Sequence, residues 1–88
     1  MAMPGGYSEA PASDARAAKA EEVATNAIKA QYGGDVVVEN VERQVVAGMN
    51  YRIRLGDGDR KYLVVVFESL PNNGQTTFTV TSIELLKQ

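Results

Sequence analysis

The chain contains no cysteine, no histidine and no tryptophan. Without cysteine there is neither a disulfide framework nor a thiolate metal site. Without histidine the Ser-His and Cys-His nucleophile systems, zinc–imidazole sites and the commonest general base all fall away. Carboxylate-only chemistry remains open, but no pair of acids stands out. We therefore expect a protein that is not an enzyme and that needs no cofactor or metal. An excess of positive charge is also missing: 9 Lys and Arg stand against 11 Asp and Glu, a net charge of −2. Nucleic-acid binding, which needs a basic patch, has no electrostatic basis here. No apolar run approaches the ~20 residues of a membrane span. The first 20 residues lack the apolar core, roughly 7–15 residues long, of a secretory signal. Small secreted domains usually rely on disulfides, so the expected location is the cytoplasm.

What is present fits one small domain, residues 1–88,. A chain of this size buries roughly 60% of the surface it exposes when unfolded, enough for a single core. Residues 1–12, rich in small residues, Pro and Gly, read as a flexible extended arm. Ser13 or Asp14 can cap a helix by accepting a free backbone N–H. Residues 14–32 are rich in Ala, Glu and Lys, and Ala20, Val23, Ala24, Ala27 and Ile28 recur at helical spacing,. Gly33-Gly34 should end that helix. Four strand-like segments follow. In 35–45 the apolar positions are Val37, Val41 and Val45. In 49–55, Met49, Tyr51, Ile53 and Leu55 alternate with Asn50, Arg52 and Arg54. Residues 60–69 are apolar on both faces, as suits a central strand, and 76–86 are Thr-rich,. Short loops make neighbouring strands antiparallel, giving an α+β fold of two layers.

The turns differ in kind. Gly56-Asp57-Gly58-Asp59 is an ordinary polar turn. It lacks the remaining ligands and the final Glu of a calcium loop,. Pro4-Gly5-Gly6 lacks the strand, helix start and Lys of a phosphate-cradling loop. The stretch Gln44-Val45-Val46-Ala47-Gly48 sits where a hairpin should turn, yet only Gly48 is a turn former,. Bare apolar side chains on a projecting tip call for a cover, either a binding partner or unusual packing within the chain. In a meander the 44–48 and 70–75 loops lie at the same end of the sheet. The helix start and the arm also belong at that end. Three small, partly apolar elements would then form one edge, shaped as a wedge.

Three segments carry a resemblance. Met3-Pro4-Gly5-Gly6 resembles the amino-terminal trunk of the stefins, the type 1 cystatins. Gln44 to Tyr51 contains their Gln-x-Val-x-Gly first loop and the Asn-Tyr that follows. Val66 to Pro71 resembles their fourth strand and second-loop start. The order arm, helix, four strands is similar to the cystatin superfamily over nearly the whole chain. Met49, and Asn72 to Gln75 after Leu-Pro, depart from the stefin pattern. The resemblance implies a four- to five-stranded antiparallel sheet wrapped around one long N-terminal helix. It also implies reversible, tight-binding inhibition of papain-like cysteine proteases. The trunk and two hairpin loops would enter the active-site cleft without presenting a scissile bond. On this resemblance the protease-binding residues are Met3, Pro4, Gly5 and Gly6 in the trunk. Gln44, Val45, Val46, Ala47 and Gly48 form the first loop, and Leu70, Pro71 and Asn72 the second. The resemblance further implies a monomer able to form a domain-swapped dimer if the first loop straightens. The same fold could instead serve as a non-inhibitory binding scaffold, natural or engineered.

Overall fold

A computed structural model of the chain describes residues 6–87. The elements run β1 (Ser8–Glu9), α1 (Ala15–Tyr32), β2 (Val37–Val46), β3 (Gly48–Gly56), β4 (Lys61–Glu68) and β5 (Phe78–Lys87). All five strands form one antiparallel sheet in sequence order, β1-β2-β3-β4-β5. The α+β class with a single helix is as expected.

Helix α1 starts at Asp14, whose Oδ1 accepts the backbone N–H of Arg16 at 3.0 Å and of Ala17 at 3.1 Å. Those are two of the donors that a helix start leaves without internal partners. The helix ends at Gly33, whose N–H reaches the Lys29 carbonyl at 3.0 Å. Its buried positions are Ala17, Ala20, Ala24 and Ile28, spaced to fall on one face,. Three of the four are alanines, so the helix axis sits close to the sheet. A larger side chain at Ala24 would lift it and cost about 1–3 kcal/mol.

The inner face of the sheet supplies the other half of the core. Tyr51, Ile53 and Leu55 of β3 and Tyr62, Val64 and Val66 of β4 are buried, with Phe78, Val80, Ile83 and Leu85 of β5 packed beside them. Each such aliphatic side chain contributes about 1.5–3 kcal/mol relative to exposure. The alternation expected in β3 holds throughout. That expected in β2 does not: Val37 is exposed, while Val36, Val38 and Val41 face the core. A register shift between Val38 and Asn40 accounts for the difference. One extra residue reverses the inward phase, so even positions point inward before the bulge and odd positions after it.

The arm also differs from a wholly flexible segment. Ser8 pairs with Arg43 and Glu9 with Glu42, and the Ala10 N–H reaches the Val41 carbonyl at 3.0 Å. Part of the arm is therefore an edge strand. Met3, Pro4 and Gly5 lie outside the described residues. Among the described residues no helix is long and apolar enough to cross a membrane.

Candidate binding edge at the hairpin end

The first turn is very tight. The β2–β3 ladder continues to the pair Val46–Gly48, leaving Ala47 alone at the apex. Gly48 takes φ +118°, and a Cβ placed there would meet the Glu68 carbonyl oxygen at 2.5 Å and the Phe67 ring at 2.8 Å. Glycine is thus required by both conformation and space. Val45, Val46 and Ala47 need no positive φ, which explains how apolar residues occupy a hairpin tip. Val45 is 70% exposed, and Val46 and Ala47 are exposed too. Gln44 is half-buried and differs from them: its Oε1 accepts the Asn50 side-chain N–H at 2.9 Å, tying the strands below the tip.

The second loop is built on an internal ladder. The Ser69 N–H donates to the Thr77 carbonyl at 2.9 Å, and the Thr77 N–H to Ser69 Oγ at 2.9 Å. Asn72 and Gln75 then exchange backbone bonds at 2.7 and 3.1 Å. The tip is Asn73-Gly74, both at positive φ as a two-residue hairpin requires,. Leu70, 59% exposed, and Pro71 stand on the rising limb of the loop rather than at its tip, and Asn72 is exposed beside them. The polar Asn-Gly tip does what turn chemistry favours, leaving the limb free for apolar residues.

Antiparallel register brings the two loops together, since Met49 lies opposite Glu68 and Glu68 opposite Phe78. A small cleft of about 70 Å³ separates them, lined by residues from both loops, Arg16 and Glu68. The arm joins the same edge. Extending the pairing of Ser8 with Arg43 back by two residues sets Gly6 level with Val45. The Tyr7 ring stacks on the Arg52 guanidinium, 4.0 Å from its centre, and Arg52 Nε donates to Glu42 Oε1 at 2.9 Å. Of the expected site residues, Gly6, Gln44 to Gly48 and Leu70 to Asn72 therefore sit at one end.

The residues beneath this edge escaped the sequence reading. Glu68 is 2% exposed, and its carboxylate receives Arg16 Nε at 2.9 Å and the Tyr51 hydroxyl at 2.9 Å. The signal was present: Tyr62, Val64, Val66 and Glu68 share one phase of β4, and an inward carboxylate must find partners. Burial raises the Tyr51 phenol well above its usual range, and its bond to Glu68 adds to that. Nearby, Arg43 pairs with Asp14. Burial would raise the Asp14 carboxyl, but the Ala17 N–H, the Arg43 guanidinium and the Arg16 N–H outweigh it and hold it below 3.8.

Chemically, the edge offers exposed apolar side chains on preformed turns, and Arg16, Arg43 and Arg52 beside it are each paired with a carboxylate. Among the described residues no group of three or more acidic side chains is placed to hold a metal. Comparison of the chain with protein families, characterised proteins and solved structures finds no match.

Proposed function

We propose that the protein is a cystatin-like domain of the stefin type that reversibly inhibits papain-like cysteine proteases. The observation that carries this reading is the coming together of two preformed loops, bearing exposed Val45, Val46, Leu70 and Pro71, at the end toward which the arm runs. A convex apolar edge suits a groove. Protease–inhibitor pairs typically bury about 800 Å² per partner. Loops already held by their own hydrogen bonds lose little conformational freedom on docking. Met3 and Pro4 of the arm would lie toward the unprimed part of the cleft, with the two loops entering the cleft beside them. Inhibition needs no catalytic group from this chain: the edge fills the cleft and offers no peptide bond for attack. Polar substitution at the first loop therefore acts on affinity. Burying one unpaired charge there, as in Val46→Asp, raises the inhibition constant by tenfold or more.

Titration of papain with purified monomer against a fluorogenic substrate tests the reading. The expected result is stoichiometric loss of activity with the inhibitor uncleaved, and weaker inhibition by Val46→Asp. Full residual activity with micromolar monomer overturns it in favour of a binding scaffold. Gel filtration of the same sample separates monomer from a swapped dimer, in which Ala47 straightens and the first loop is lost.

A further inference from the structure

We infer that Glu68 is a positioning residue that fixes the separation of the two loops, a role that deepens the inhibitor reading. Three elements meet at its carboxylate. Arg16 comes from the first turn of α1, Tyr51 from β3 three residues past Gly48, and Glu68 itself ends β4 one residue before Ser69. The same residue's backbone carbonyl is the atom that would touch a side chain at position 48. Glu68 also lines the cleft between the loops. Tyr51 extends the tie to β5, its ring stacked against Phe78 at 6.5 Å just after the second loop.

A buried carboxylate is a costly choice for a core position, and an apolar residue of similar volume there would often be as stable. What the carboxylate adds is direction. It accepts two donors from two different elements, so neither the helix start nor the base of the first turn can shift without breaking a charge-assisted bond. An apolar side chain would fill the space and leave both free to slide. Arg16 is largely exposed while Glu68 is buried, so the tie can be cut from the surface without opening a cavity.

The test uses Arg16→Gln, Arg16→Lys and Glu68→Gln, read by amide hydrogen exchange and by the dissociation rate from papain. Arg16→Gln is expected to speed exchange of the Ser69 and Gln75 amides by about tenfold, leaving the Asp57 amide at the opposite end unchanged. Arg16→Lys should restore most of the protection. Dissociation from papain should quicken by a similar factor. Uniform acceleration at all three amides, or none at any, overturns the positioning role, as does a Lys variant no better than Gln. Failure of the wild-type protein to inhibit papain sinks the inhibitor reading alone, because the exchange pattern is measured on the free protein. Should Glu68→Gln fail to fold, the Arg16 pair decides the matter.

Discussion

The two ends of the sheet solve the same problem, reversing a strand, by opposite means. At the far end Asp57 makes the turn by itself: its Oδ1 accepts the N–H of Asp59 at 3.1 Å and of Arg60 at 2.7 Å. Gly58 there has φ +96° and open space around it. At the hairpin end, Val46, Ala47 and Gly48 offer no such side chain, and the turn depends on close packing over Glu68 and Phe67. The far turn is locally encoded; the near turn is held from below. Exposed apolar residues occur at both ends, with Val37 and Leu86 toward the far one. At the far end they stand beside a polar turn, whereas at the near end they flank an apolar apex and stand on the second loop. A turn held from beneath leaves its side chains free for another molecule.

Substitution of the two turn glycines should separate the ends most sharply. Gly48→Ala combines positive φ with a clash against backbone, and should cost about 3 kcal/mol. Gly58→Ala meets only the conformational term, about 1 kcal/mol. Urea denaturation of both variants measures the difference, and equal losses would mean that the two turns are held in the same way. Next in size, Tyr51→Phe leaves the space filled but removes a buried donor from Glu68. A loss of about 1.5–2 kcal/mol is expected, again by urea midpoint.

The helix cap at the hairpin end gives a smaller effect with a pH signature. Asp14→Ala should cost about 1–1.5 kcal/mol at neutral pH, from the lost cap and the partly exposed Arg43 pair. The Asp14 carboxyl titrates below its ordinary 3.8 when folded. Its stabilisation is therefore present above that value and disappears as pH falls through the lowered one. Unfolding curves of wild type and variant should converge on acidification; a constant gap would show that the charge plays no part. The smallest stability change belongs to Val45→Ser, within about 0.5 kcal/mol because the side chain is already in water. The same variant should weaken papain inhibition several-fold, while Val37→Ser, equally exposed at the far end, should leave it unchanged. Equal effects from the two valines would remove the contrast.

Much of this arrangement was legible in sequence because its causes are local. Helical spacing from Ala20 to Ile28, strict alternation from Met49 to Leu55, and polar turn residues at 56–59 each follow from neighbours in the chain. The phase of β2 is not legible in the sequence, because a bulge at Glu39 shows itself only when β3 is laid alongside. The arm's two-residue strand was unreadable for the same reason: its pairing depends on Arg43 and Glu42, more than thirty residues away. For the candidate edge, residues 44–48 stood out as odd turn chemistry and 70–72 through the resemblance, whereas Glu68 and Arg16 acquired meaning only from each other and from Tyr51.

The sequence by itself determined the single helix, the run of antiparallel strands and the unusual composition of the first turn, since propensity and periodicity act over a few residues. Only the tertiary structure decided that a cleft lies between the two loops, why position 48 must be glycine, and how a carboxylate comes to lie beneath both loops. Those outcomes depend on distances between residues far apart in the chain, and such distances exist only after the sheet has closed over the helix.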